Sequence, residues 1–175
     1  GIVSHPALAG RTVAGYDFIS DALIANDGDG RDPDPSDPGD WVTTAESANG
    51  YFKGCPVSDS SWHGSHVTGT IVATANNATG IAGIAPGARV APIRVLGKCG
   101  GWLTDVAAAL RWAAGATVPG VPANPTPARI ANLSLSGPSA CDPTMQDAVT
   151  YATNAGTLVV VAAGNQALDA SSAVP

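Results

Sequence analysis

Apolar and polar positions change period along this chain, and each period predicts an element. Residues 63 to 75, within "SSWHGSHVTGTIVATA", put Val67 and Ile71 on one face with small residues between them, which is helical spacing. Residues 104 to 114 predict a second helix, with Thr104 as N-cap, Asp105 in the first turn, and Val106 and Leu110 as core positions. A third begins at the cap Asp142 with Pro143 at its first position. Met145, Ala148, Val149 and Ala152 line one face of it, and Gly156 ends it.

Short apolar runs separate these helices. "RVAPIRVL" (89 to 96) and "TLVVVAAG" (157 to 164) suit buried strands, and the apolar strand "RIANLSL" lies between them. An earlier extended piece is "TVAGYDFIS". "GIAGIAPGA" (80 to 88) reads as a turn, and the proline-rich "ATVPGVPANPTPA" (116 to 128) as a surface loop. The order strand, helix, strand, helix, strand predicts an α/β fold with a parallel sheet. There is no internal repeat.

Composition narrows this picture. Hydrophobic residues make up 45% and charged residues 13% of the 175, which excludes the disordered class and fits one domain with a real core. The net charge is −6, and the only lysines are Lys53 and Lys98, which argues against a nucleic-acid partner. No apolar run approaches the roughly 18 residues that would span a bilayer. The opening "GIVSHPAL" and closing "ASSAVP" read as the abrupt ends of a processed or truncated chain. Cys55, Cys99 and Cys141 each lie in a Gly- or Pro-flanked loop without C-x-x-C spacing, a setting common to disulfides of secreted proteins. Their odd number leaves one over.

The acidity is local. Asp27, Asp29, Asp32, Asp34 and Asp37 alternate with Gly and Pro in "NDGDGRDPDPSDPGD". Hard oxygen ligands on a tight loop suit Ca²⁺, although no glutamate closes the loop as in an EF-hand. The other reading is a solvated acidic loop.

Chemistry in a parallel α/β sheet collects at the carboxyl ends of strands. Three segments lie at such places: "HGSHVTG", "NLSLSG" and "VVVAAGN". The amide of Asn165 could donate to an oxyanion, or "GN" could be an ordinary turn. His63, at a helix start, faces the positive end of the dipole, which disfavours its charged form and suits a general base. A structural role for His63 is equally compatible with the pattern. His66 is expected to pack inside. A metal site lacks further ligands beside His-x-x-His.

Taken together and in order, the three segments resemble the subtilisin-like serine proteases (subtilases). "HGSHVTGT" resembles the family's histidine motif, with Ser65 in place of the usual threonine and Thr68 in place of alanine. "NLSLSG" resembles the strand that pairs with substrate backbone, and "AAGN" the segment with the oxyanion asparagine. "GIAPGARVAPIRVL", followed by the substrate loop "GKCGG", resembles the stretch between them. The acidic insertion, the Trp before His63 and the cysteines resemble a secreted bacterial subgroup with added calcium and disulfide bonds.

The resemblance implies an incomplete three-layer α/β sandwich with a central, mostly parallel sheet. Residues 1–175 would form part of a peptidase S8 catalytic domain. It implies a secreted, extracellular, monomeric serine endopeptidase acting on protein or peptide substrates through an acyl-enzyme, with structural calcium. His63 would be the general base and Asn165 the oxyanion donor. Gly100 and Gly101 would form one substrate-pairing edge, and Ser134, Leu135, Ser136 and Gly137 the other. Ala162, Ala163 and Gly164 would floor the pocket for the residue before the cut. A Cys55–Cys99 bridge would tie down the substrate loop, with Cys141 pairing outside the chain. The family's Asp-Thr/Ser-Gly aspartate would sit two places before Gly1, and its Gly-Thr-Ser serine beyond Asn165. Asp17, Asp21 and Ser134 lie in the wrong motifs to replace them. These residues alone are therefore expected to be inactive. The alternative is a catalytically dead, calcium-stabilised peptide-binding module.

Overall fold

A parallel strand pair organises each of the two units into which the chain divides, Gly1–Trp102 and Leu103–Pro175. The computed structural model describes residues 4–137, 141–165, 167 and 169. Gly1 and Ile2, which carry the resemblance to the residues after the catalytic aspartate, lie outside that set.

In the first unit, β1 (Tyr16–Asp17) pairs in parallel with β2 (Ile93–Arg94), Tyr16 opposite Ile93 and Asp17 opposite Arg94. A bridge between Thr12 and Val90 continues the pairing upstream. Asp21 then caps the short α1 (Ala22–Ala25), accepting from the N–H groups of Leu23 and Ile24. α2 (Thr44–Ala48) starts with a capping box, in which Thr43 and Glu46 satisfy each other's backbone N–H groups. α3 (His63–Val72) packs against a 3-10 turn at Pro6–Leu8. Ile19, Ile24, Ala25 and Phe52 form a buried cluster against which Cys55 packs.

The expected buried strand at 89–96 is shorter and less covered than its apolar run suggests. Two of its residues form β2, and Arg94 is its buried member. A charge at the buried position needs partners, and that need shapes the site described below.

The loop after β2 is fixed on several sides. Cys99 is disulfide-bonded to Cys55, with Cα atoms 5.8 Å apart. The Lys98 N–H donates to Ile24 O at 2.9 Å. Lys98 is buried, and its ammonium donates to Glu46 while lying 4.9 Å from the Trp41 ring centroid and 5.2 Å from that of Phe52. A Cβ at Gly97 would collide with Ile24 O, and one at Gly101 with Val95 O. Glycine at 97 and 101 thus lets this loop lie against α1 and against Val95, and Gly100 supplies a positive φ of 111 between them.

In the second unit, α4 (Leu103–Ala113) precedes a strand–helix–strand: β3 (Ile130–Leu133), α5 (Pro143–Asn154) and β4 (Leu158–Val161). β3 and β4 pair in parallel from Ile130–Leu158 to Leu133–Val161. The α/β class and the parallel pairing are those expected. Asp142 caps α5 as expected, accepting from Thr144 at 2.8 Å and Met145 at 3.3 Å, with Pro143 in the first turn. Met145, Ala148 and Ala152 are buried, as are Val106 and Leu110 on α4. The Arg111 guanidinium lies 4.7 Å from the Tyr151 ring centroid, joining α4 to α5. The loop 116–128 is held to α4 by the Trp112 indole N–H donating to Pro122 O at 2.7 Å.

Two expectations fail here. α4 begins at Leu103, so Thr104 lies inside its first turn rather than capping it. β4 is not a buried strand, because Leu158, Val160 and Val161 are exposed. α5 packs against β4 but leaves three of that strand's four residues exposed. No helix of the described residues is long and apolar enough to cross a membrane.

The α5 cap yields a first prediction. Asp142→Ala should lower stability by about 1 kcal/mol, read as a shifted denaturant midpoint at unchanged slope. The loop anchor yields a second. Hydrogen bonds from Lys98, and then from Thr43, hold the Glu46 carboxyl down at about 2. Its folded value lies below the ordinary 4.5, so its stabilisation is complete above 4.5 and is lost as pH falls towards 2. Melting temperatures of the parent should therefore fall more steeply across that window than those of Glu46→Gln. Parallel acid limbs would contradict this.

Candidate active site

α3 presents His63 as its first residue, and the side chain is exposed. Trp62 precedes it at φ 50, in the left-handed region, and makes no side-chain cap. The cap comes from one residue earlier: the His63 N–H donates to Ser61 Oγ at 3.3 Å. Ser61 is itself held by Asp40, whose Oδ1 accepts its N–H and whose Oδ2 accepts its hydroxyl, each at 2.7 Å. His66 does not pack inside; it is exposed. Three residues on from His63, it shares the outward face of α3, and the buried position of the helix is Val72.

Gly100 and Gly101 belong to the anchored loop of the same unit, where Gly97 and Gly100 form a bridge. Beside it lies a cavity of about 340 Å³ lined by Asp40, Val42, Pro56, Ser58, Leu96, Gly97, Cys99 and Gly100.

In the second unit, the chain leaves β3 and β4 at adjacent carboxyl ends. Leu133 and Val161 are the last pair, and the Ala162 N–H donates to Leu133 O at 3.1 Å. Ser134, Leu135, Ser136 and Gly137 therefore emerge beside Ala162, Ala163, Gly164 and Asn165. Gly164 adopts φ 86, a left-handed turn that ends the extended run before the exposed Asn165. Ser134 Oγ accepts from the Asn132 amide at 2.8 Å.

The acid-rich loop folds around a buried guanidinium. Arg94 donates through one terminal nitrogen to Asp17 Oδ2 and Asp27 Oδ2, both at 2.6 Å. Through the other it donates to Ala25 O and reaches Asp37 at 3.4 Å. Asp17, Asp27 and Asp32 each bring a carboxylate oxygen within 4.8 Å of the other two. Burial pushes the Asp17 carboxyl up to about 6, against the pull of the Ile19 N–H and Arg94. Of the expected ligand set, Asp27 and Asp32 are in this group, Asp37 is on Arg94, and Asp29 and Asp34 stand outside it. Asp34 instead accepts the Ser36 N–H at 3.0 Å.

Sequence reasoning missed Asp17 and Arg94 as partners. The available signal was a charged residue inside each apolar run, "GYDFIS" and "PIRVL". The aspartates considered as triad substitutes are otherwise engaged: Asp17 with Arg94, and Asp21 with the α1 cap and the Tyr51 hydroxyl. Cys141 is a free, exposed thiol.

A family model described as "Subtilase family" matches residues 1–175. The "Extracellular protease" of Xanthomonas campestris pv. campestris is 54% identical over 175 residues, all of this chain and 30% of that protein. The "Extracellular basic protease" of Dichelobacter nodosus is 46% identical over 175 residues, again all of this chain and 29% of its own length. A solved structure titled "Proteases from Pseudoalteromonas arctica PAMC 21717" superposes with a TM-score of 0.91 at 46% identity, covering 98% of this chain and 49% of that one. The chain thus spans less than a third of these curated relatives and about half of that solved structure. With the family model matched from end to end, the chain belongs to the subtilase family.

Proposed function

We propose that this chain is part of the catalytic domain of a secreted serine endopeptidase that cuts protein substrates through an acyl-enzyme. The observation that carries the reading is His63, exposed at the head of α3 in a chain matched throughout by the subtilase family. Two relatives named extracellular proteases, which align over the whole chain, support secretion.

His63 takes the proton from the attacking serine hydroxyl and hands it to the leaving amine. Asn165 donates its side-chain amide to the tetrahedral oxyanion; in subtilisin, loss of such a donor costs about 10²–10³-fold in kcat. Gly100 and Gly101 offer backbone groups to an extended peptide within the first unit, and Ser134 to Gly137 do so within the second. Ala162 and Ala163 present only methyl groups and Gly164 no side chain, suiting the floor of a pocket. The serine and the orienting aspartate come from the rest of the protein, so residues 1–175 alone do not cleave peptides.

Calcium fits the acidic loop. Asp17, Asp27 and Asp37 pair with Arg94, and Asp17, Asp27 and Asp32 gather carboxylate oxygens in one place. Asp17, Asp27 and Asp32 would hold the ion, and it would supply charge neutralisation to a loop that otherwise repels itself.

In the protein that carries this chain, a serine-directed phosphonate should block peptide cleavage, and His63→Ala should abolish both cleavage and labelling. Unchanged cleavage in His63→Ala would refute the reading, and peptide binding without any cleavage would favour the dead binding module. Calcium at about 100 times its Kd should add about 2.7 kcal/mol of stability. That gain should vanish on chelation and in Asp27→Asn. An identical melting temperature with calcium and with chelator would remove calcium from the account.

A further inference from the structure

Asp40 closes the acid-rich loop in sequence, yet its carboxylate serves a different end from those on Arg94. Both oxygens accept from Ser61, one from the backbone and one from the hydroxyl. Such a two-point, charge-assisted grip fixes both the position and the rotation of Ser61. The same Ser61 oxygen accepts the N–H of His63. Trp62 between them is a bulky residue at φ 50, a conformation that persists only where its surroundings over-determine it. No side chain of Trp62 caps the helix, so the Ser61 oxygen performs that task from outside. A further contact brings the two segments together. Gly39 sits at φ 125, and a Cβ there would run into Ser60 Oγ and the Trp41 ring. The segments 39–41 and 60–61 therefore abut without room for one methyl group.

We infer that Asp40 and Ser61 are positioning residues for His63: the carboxylate locks Ser61, and Ser61 holds the left-handed turn that aims the imidazole from the first position of α3. This rests on the reading of His63 as general base. Neither residue touches the reacting atoms. Their effect passes through the direction of one helix start, and small misplacements of a catalytic group cost rate rather than binding.

The test uses the active protein that carries this chain, with His63→Ala as the control for the underlying reading. Ser61→Ala removes the hydroxyl alone. Asp40→Asn keeps the shape but removes the charge, leaving one acceptor for the Ser61 N–H and a neutral amide in place of the carboxylate that accepts the hydroxyl. Each should lower kcat about tenfold, with KM and melting temperature unchanged. The double variant should be no slower than either single one, because both act through one path. Ser61→Thr, which keeps the hydroxyl, should restore most of the rate.

Asp40 also lines the cavity beside Leu96, Gly97 and Gly100, so a direct contact with substrate is the rival account. A raised KM at constant kcat in Asp40→Asn would establish that rival and overturn the inference. Losses that multiply in the double variant, or that follow a falling melting temperature, would also overturn it. Normal kcat in Ser61→Ala beside an inert His63→Ala sinks positioning alone. An active His63→Ala sinks the reading on which it rests.

Discussion

The first unit depends on a guanidinium that has been taken out of water. Arg94 sits on β2 opposite Asp17 on β1, so the strand pairing and the ion pair enforce the same register. Its remaining donors reach the carbonyl that ends α1 and two carboxylates of the acid-rich loop. A buried cation is costly unless nearly every donor is matched, and removing one partner of such a pair typically costs 3–5 kcal/mol. That cost works as a constraint on the chain. It forces the loop from Asp27 to Asp37 to close over the strand ends instead of extending into solvent. Arg94 Nε alone lacks a partner among the described protein atoms, a sign of how far the terminal nitrogens dictate the side chain's placement.

Two consequences follow along the chain in opposite directions. After Arg94, β2 runs into the anchored loop, where Lys98, Gly97 and Cys99 press against α1, α2 and the segment before α3. Before Asp40, the folded acidic loop delivers its last carboxylate to Ser61, at the foot of α3. The candidate substrate edge and the candidate base thus descend from one buried charge. An edge that binds a peptide backbone must be in place before the peptide arrives, since ordering it on binding would subtract from affinity. The loop proposed as that edge is held by a disulfide, a buried ammonium and the close-packed Gly97 and Gly101.

Local chemistry made much of this legible in the sequence. Asp142-Pro143 announced a helix start because capping and proline at the first position are short-range effects. The periodicity of Val106 and Leu110 announced a core face for the same reason. What escaped were contacts between residues far apart in the chain. Asp17 and Arg94 meet at a separation of 77, and no pattern within either run reveals the other. Apolar character also misled. Leu158, Val160 and Val161 read as a buried strand, yet an apolar run records what a strand can bury, whereas burial depends on what packs over it. His66 failed for a related cause: glycine and threonine neighbours said nothing about which side of α3 faces outward.

Perturbed carboxyls are often taken as pointers to catalysis, because active sites gather the burial and the charges that shift them. Here the two largest shifts point elsewhere. Asp17 is raised by burial beneath Arg94, and Glu46 is lowered by Lys98 and by its own helix cap. Both hold segments in place. The residues proposed for chemistry, His63 and Asn165, are exposed and stand at the ends of elements, where a substrate can reach them. This division follows from the physics of the two tasks. A group that fixes a loop gains from being sheltered from water, whereas a group that exchanges protons must remain accessible until its substrate arrives. In this chain, burial and charge therefore mark the groups that hold segments in place, and the residues proposed for chemistry stand exposed at the ends of elements.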